Sequence, residues 1–329
     1  MARIGILTSG GDAPGMNAAL RAAVRCGTGL GLTFIGIERG YAGLIEGDTV
    51  PLDNRAVSGI IERGGTLLRS ARSQAFMTED GGRQALATIR RHRLDGLVVI
   101  GGNGSLRGAQ WLNESGVPTF GVPASIDNDV PGSAMAIGVD TALNTVVSCL
   151  NRLRDTAIAH ERAFVVEVMG RKSGYIALMG GLAGGAEIIL LPEIPVSLDT
   201  VVRRIQESLQ LGKRHSIIVV AEGFTPNDEP LVASSPAHTV CDRLDQVGSL
   251  ETRLTILGHL QRGGSPTAFD RILASRFGQA AVRALHSGVD AGMMAYDGGA
   301  IVCKPYETLD DACTNVDLEL LELADNVAN

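Results

Sequence analysis

Six short runs constrain the fold of this chain more than anything else in it. They are "IGIL" (4–7), "TFIGI" (33–37), "GLVVI" (96–100), "PTFGV" (118–122), "AFVVEV" (163–168) and "SIIVVAE" (216–222). Each has strand length and is almost wholly apolar rather than alternating, as parallel strands covered on both faces require. Helical patterns lie between them. From about Pro14 to Cys26, Met16, Leu20, Ala23 and Val24 share one face, and Pro14 suits a first helical turn. Val139, Ala142, Leu143, Val146, Val147, Leu150 and Leu153 form a second stripe at helical spacing. Strand and helix in alternation predict an α/β fold with right-handed crossovers and mostly parallel sheets. Ligands of such sheets bind beyond the carboxyl ends of the strands, so the chemistry is expected just after the apolar runs.

With 329 residues there is room for two ordinary domains or one large one. The net charge of -7 argues against a nucleic-acid binder, which would carry a basic domain or stripe. A few local arginines can still capture phosphorylated small molecules. The five cysteines (Cys26, Cys149, Cys241, Cys303, Cys313) are scattered without metal-like spacing, so free thiols in a reducing compartment are expected. The opening residues run directly into a strand, leaving no room for a signal peptide, and no apolar run approaches the ~18 residues of a membrane span. A cytoplasmic protein with no membrane partner is the expectation. Residues 224–249, with three prolines, read as a surface excursion leading into a helix. The acidic tail, with Leu318, Leu321 and Leu323, reads as a solvated terminal helix.

Four loops that follow strands combine glycine with polar groups. "TSGGDAPGMN" (8–17) offers backbone N–H groups and a helix N-terminus to an anion, but it has neither the Gly-Lys-Ser/Thr of a Walker A loop nor GxGxxG. Taken alone, a tight turn explains it equally well. "GGNGS" (101–105) repeats the design, with Ser105 placed to cap the following helix, and it too lacks the nicotinamide fingerprint. Two phosphate-type loops favour a nucleotide or polyphosphate. In "VPASIDNDVPGS" (122–133), Asp127 and Asp129 flank Asn128. Carboxylates this close suit a general base beside a metal-tied neighbour, although Asp-Asn-Asp alone more often marks a surface turn. "VVEVMGRKSGY" (165–175) sets Arg171 just past a strand, in reach of a transferring phosphoryl group or of solvent alone. Glu222 ends another run, and "LGHLQRGGSPTAFDR" brings His259 and Arg262 beside two glycines. These groups at one predicted edge describe a site for a phosphorylated, hydroxylated substrate.

Together, "GILTSGGDAPGMNAALRAAVR", "ERGGTLLRSAR", "LVVIGGNGSLRGA", "SIDNDVPG", "RLRDTAIAHER", "VVEVMGRKSGY", "GLAGGAEII" and "LGHLQRGGSPTAFDRILASR" resemble the bacterial 6-phosphofructokinase family, in family order from residue 4 to about 276. The resemblance implies phosphoryl transfer from ATP to the 1-hydroxyl of fructose 6-phosphate, with Mg2+. It implies two similar three-layer α/β/α domains, residues 1–138 with about 261–311 and residues 139–260 with the tail, and an active site in the cleft between them. Asp127 matches the catalytic base and Asp129 the neighbour that supports the metal. Arg171 and Ser125 match groups that stabilise the phosphoryl group in flight. The donor positions are Gly11, Arg72, Ser73, Gly102, Asn103, Gly104, Ser105 and Gly108. Met169, Gly170, Glu222, His259 and Arg262 match the sugar-phosphate site, and Arg162 and Arg253 match residues lent by a neighbouring subunit of a homotetramer.

Three departures from the family pattern stand out. Asn103 replaces the acid usual in the donor loop, which shifts the metal's support toward Asp129. Ala124-Ser125 precedes the acidic loop, where Gly-Thr or Lys-Thr is usual. Pyrophosphate-dependent relatives usually carry aspartate at the position of Gly104 and lysine at that of Ala124; both residues here are small and neutral, which favours ATP. Third, the pocket for an anionic effector such as ADP or phosphoenolpyruvate is partly kept. Arg21, Arg25, Arg154, Gly185, Glu187 and Lys213 match, with His215 near them, while Asn54 and Leu211 stand where arginines are usual. A pyrophosphate-dependent enzyme, or a weakly active sugar-phosphate-binding regulatory homologue on account of Asn103, are the alternative readings.

Overall fold

The computed structural model describes residues 1–228, 235–248, 250–313 and 316–328. The chain opens with β1 (Arg3–Ser9), α1 (Met16–Gly29), β2 (Thr33–Ile37), α2 (Gly40–Glu46) and β3 (Thr49–Leu52). Next come α3 (Glu79–His92), β4 (Gly96–Gly101), α4 (Asn103–Glu114), β5 (Thr119–Pro123) and the long α5 (Val139–His160). Then follow β6 (Ala163–Val168), α6 (Tyr175–Ala183), β7 (Ile188–Leu190), α7 (Leu198–Gln210), β8 (Ser216–Ala221), α8 (Pro236–Val247) and β9 (Thr252–Ile256). α9 (Ala268–Ser287), β10 (Met293–Asp297), β11 (Ala300–Lys304) and α10 (Leu318–Val327) complete the chain. All six apolar runs are strands, and the fold is α/β. Two compact units result, Met1–Thr141 with Arg262–Cys313, and Ala142–Gln261 with Thr314–Asn329.

In the first unit a seven-stranded sheet runs in the order β11-β10-β5-β4-β1-β2-β3. Its five inner strands are parallel, and β3 and β11 are antiparallel edges. The edges escaped the apolar pattern because each is covered on one side only; Pro51 marks β3, and a turn of two glycines at positive φ, Gly298 and Gly299, precedes β11. Leu7, Leu97 and Val99 face a core completed by Tyr41 and Leu44 of α2, Ala85 and Ile89 of α3, and Leu106 and Leu112 of α4. α1 and α9 pack closely together: a Cβ on Gly278 would lie 2.3 Å from the Ala19 carbonyl. The buried Asp270 of α9 accepts the Gly138 and Thr141 N–H groups (2.9 and 2.8 Å) and the Thr141 hydroxyl, and so caps the start of α5. Burial outweighs these bonds and raises the Asp270 pKa above its ordinary value.

The second unit holds a four-stranded, wholly parallel sheet in the order β7-β8-β6-β9. Val165, Ile218 and Val220 pack on Val201 and Ile205 of α7 and on Val240 and Leu244 of α8. Gly180 of α6 admits Val146 of α5, whose methyl would stand 2.8 Å from a Cβ there. The excursion after β8 leads into α8 as expected, although residues 229–234 and 249 lie outside the described residues. The tail differs from its expectation. α10 is helical but does not lie free in solvent: it packs on α6 and β7, buries Ala324, and pairs Asp325 with Arg204 of α7 at 2.8 Å. An edge strand as apolar as β7 needs such a cover, and the tail's own spacing could not show which strand it meets.

Candidate active site

In the first unit β1 and β4 are neighbours, with Ser9 opposite Gly101, while their crossovers leave to opposite sides of the pair. That reversal of strand order opens a crevice at the carboxyl ends, and both glycine loops sit there. A Cβ on Gly101 would lie 2.4 Å from the Ser9 carbonyl and 2.6 Å from Ser105 Oγ, so only glycine lets the loops approach. Gly10 has φ +86° and its carbonyl accepts the Ser70 hydroxyl at 2.6 Å. Arg262 donates from Nη1 to the Asp12 carbonyl at 3.1 Å, against the face where Gly11 lacks a side chain.

α4 begins at Asn103, earlier than expected. Its N-cap is Gly102, with no side-chain cap, so Ser105 sits inside the first turn instead of capping it. The Ser105 and Leu106 N–H groups bond back to the Gly102 carbonyl, which leaves those of Asn103 and Gly104 facing outward for an anion. Gly104 has open space where a Cβ would project. Gly108, a turn later, is buried with the Tyr41 ring 2.6 Å from its missing Cβ; it lies in packing, away from the loop. Arg72 is exposed in irregular chain, and Ser73 Oγ accepts the Phe76 N–H at 3.2 Å.

The acidic loop adjoins the second glycine loop directly. The Ala124 N–H donates to the Gly101 carbonyl (3.0 Å), and Asn103 Nδ2 donates to the Asp129 carbonyl (2.9 Å). Within the loop Asn128 takes φ +48°, a conformation asparagine tolerates. Its amide holds that shape by donating to the Ala134 carbonyl (3.1 Å) and accepting the Ala136 N–H (3.0 Å). Ser125 Oγ donates to Asp129 Oδ1 (2.9 Å) and lies 3.4 Å from the Asp127 N–H. Its hydroxyl thus fixes the loop. Asp127 is buried, at 3% exposure. Asn103 Oδ1 is buried without a hydrogen-bond partner.

In the second unit β6 and β8 are neighbours, with Val168 opposite Ala221. Pairing brings Glu222 beside the turn 169–171. Glu222 Oε1 accepts the N–H groups of Gly170 (3.2 Å) and Arg171 (2.7 Å), while its own N–H donates to the Val168 carbonyl. The turn needs this support, because Arg171 has φ +56° and Gly170 φ +150°. Met169 is buried at the strand end, and the Arg171 side chain is exposed. His259 is exposed on the short turn Gly258–Arg262.

Arg162 and Arg253 meet through a residue that the sequence reading missed. Arg162 Nε bonds Glu251 Oε2 at 2.6 Å and Arg253 Nη2 bonds Glu251 Oε1. The two guanidiniums, Arg162 foremost, lower the Glu251 pKa. The "ETR" order was the available signal, since residues 251 and 253 share a face of an extended segment. Arg154, Gly185, Glu187 and Lys213 also assemble. Arg154 Nη1 and Lys213 Nζ reach Glu187 Oε1 at 3.3 and 3.0 Å, and Arg154 Nη2 donates to the Gly185 carbonyl. His215 is half-buried two residues on, while Arg21 and Arg25 stand on α1 of the first unit. Among the described residues no cluster of three His, Cys, Asp or Glu side chains could hold a metal, and no helix is long and apolar enough to cross a membrane.

A family model described as phosphofructokinase matches residues 3–285. The chain belongs to the phosphofructokinase family. An ATP-dependent 6-phosphofructokinase of Thermotoga neapolitana is 51% identical over 98% of this chain and 99% of its own. ATP-dependent 6-phosphofructokinase 1 of Thermus thermophilus is 49% identical, covering 100% of both. Among solved structures, phosphofructokinase from Saccharomyces cerevisiae matches all of this phosphofructokinase-family chain with a TM-score of 0.88 and 34% identity; the match spans 48% of the yeast chain. A pyrophosphate-dependent phosphofructokinase from Marinobacter aquaeolei shares the fold at TM-score 0.85 and 21% identity, over 97% of this chain and 86% of that one.

Proposed function

We propose that this protein is an ATP-dependent 6-phosphofructokinase, transferring the terminal phosphoryl group of ATP to the 1-hydroxyl of fructose 6-phosphate. One observation carries the reading: the glycine loop opening α4 is hydrogen-bonded, through Gly101 and Asn103, to the loop that bears Asp127 and Asp129. A phosphate cradle and a carboxylate base then lie side by side in the first unit, which is what phosphoryl transfer by positioning and electrostatics needs. Asp127 takes the proton of the sugar hydroxyl as it attacks, and its burial keeps water from competing. Ser125 holds Asp129 in place. The outward N–H groups of Asn103 and Gly104 take phosphate oxygens, and the open space at Gly104 leaves room for a nucleotide's α-phosphate.

Met169, Gly170, Glu222 and His259 of the sugar-phosphate set come from the second unit and Arg262 from the first. Glu222 fixes the turn 169–171, in which Arg171, itself at φ +56°, meets the charge that develops on the phosphoryl group. His259 and Arg262 hold the sugar phosphate. Arg162 and Arg253, preset by Glu251, serve a neighbouring copy in a homotetramer, a state that sedimentation would test. The Arg154–Glu187–Lys213 cluster binds an anionic effector such as ADP or phosphoenolpyruvate. The enzyme works in the cytoplasm.

Magnesium fits the donor set. This ion is usually held by one or two carboxylates together with substrate phosphates; Asp129 offers a carboxylate, and the buried, unpartnered Asn103 Oδ1 offers a neutral oxygen. A magnesium ion held by Asp129 and Asn103 would supply positive charge against the phosphate oxygens. Purified protein should form fructose 1,6-bisphosphate from fructose 6-phosphate with ATP and magnesium, and Asp127→Asn should lower kcat by about 100- to 10,000-fold. Turnover with pyrophosphate but not ATP would overturn the donor. Binding of fructose 6-phosphate with no turnover from either donor would overturn the enzyme.

A further inference from the structure

We propose that Asn103 is a positioning residue that clasps the acidic loop to the donor loop by its own hydrogen bond, so that the loop keeps its shape with no cation bound. The inference rests on the proposed kinase reading for its catalytic meaning, but not for its test. The bond from Nδ2 to the Asp129 carbonyl, at 2.9 Å, fixes the orientation of the amide, because a carbonyl can only accept. Oδ1 is thereby turned to the other side, where it is buried and unpartnered. A buried acceptor left unmade carries a cost, and its persistence marks a place for a water or ion. The two ends of one side chain divide two tasks. Nδ2 holds the loop, and Oδ1 offers a weak neutral ligand.

An aspartate has the same shape and none of the donor. At position 103 it would set a carboxylate oxygen against the Asp129 carbonyl, acceptor facing acceptor, and the contact would hold only with a cation between or beside them. A carboxylate there makes loop closure depend on metal; the amide makes it independent, at the expense of metal affinity. Catalysis would then meet an acidic loop already ordered, with Asp127 in place before the cation and nucleotide arrive.

Hydrogen exchange at the amides of residues 126–130 in the full-length protein tests this, in EDTA and in magnesium chloride alone. The wild type should show the same protection in both. Asn103→Asp should exchange about tenfold faster in EDTA, and magnesium should restore protection. A fluorescence or calorimetric titration should show tighter magnesium binding to Asn103→Asp than to wild type. Asn103→Ala, which removes the donor and adds no charge, should lose protection in both buffers, so the idea stays testable if the aspartate variant does not fold. Wild-type protection that rises with magnesium, or an alanine variant as protected as wild type, overturns it. If no donor gives turnover but this exchange pattern holds, the kinase reading fails and the clasp stands.

Discussion

Truncating Glu222 to alanine removes the acceptor that holds the turn 169–171. Oε1 takes two backbone N–H groups, at 3.2 and 2.7 Å, from residues at φ +150° and φ +56°. Hydrogen bonds to a charged group are worth about 1.5–3 kcal/mol each. Arg171 is exposed and its N–H regains water, whereas Gly170 is buried and its N–H is left without a partner. The left-handed conformation of Arg171 adds roughly 1 kcal/mol of pull toward another backbone state. The net expectation is a loss of about 2–3 kcal/mol in the set of the turn, equivalent to about 30- to 150-fold in kcat/KM for fructose 6-phosphate. Steady-state kinetics with a coupled assay reads this, and Glu222→Gln provides the comparison, since its Oε1 still accepts both N–H groups. Glutamine should recover most of the turn's stability in urea melts while keeping whatever defect the missing charge causes. An alanine variant with wild-type kcat/KM and unchanged urea midpoint would refute the assignment of Glu222 as the support of Arg171.

Gly104→Asp should leave stability unchanged or slightly raised, because the site is open and an acid in a first helical turn is favourable. It should nevertheless raise KM for ATP at least about tenfold through charge repulsion with the donor; an unchanged KM would remove Gly104 from the donor site. Glu251, held low by Arg162 and then Arg253, should titrate below its ordinary value of 4.5 by carboxyl NMR. Because its folded pKa is depressed, the stability it contributes is present above 4.5 and lost as pH falls through the folded value. Arg162→Ala should return it toward 4.5, and no movement would separate the two residues. Asp270→Ala strands three donors at the start of α5 and should cost about 3–5 kcal/mol in urea unfolding. A loss under about 1 kcal/mol would mean that water replaces the carboxylate.

By itself the sequence determined which segments are buried strands and which loops carry chemistry. An apolar run with no alternation has one stable place, the middle of a covered parallel sheet, and β1, β2, β4, β5, β6 and β8 all lie there. The motifs around Gly11, Asn103, Asp127 and Arg171 were equally legible, since each lies within a few residues of a strand end. What only the tertiary structure decided is how those ends are ordered side by side. Strand order sets Ser9 against Gly101 and Val168 against Ala221, and that adjacency makes one cradle of two loops and brings Glu222 under Arg171. Antiparallel edges, the meeting of Arg162 with Glu251 and α10 over β7 were also beyond sequence reach, because each depends on a neighbour distant in the chain or on a strand covered on one face only. Asn103 shows the division within a single residue. Its identity was visible as a lost charge, and the fold turned that loss into a hydrogen bond, because the Asp129 carbonyl stands where only a donor can meet it.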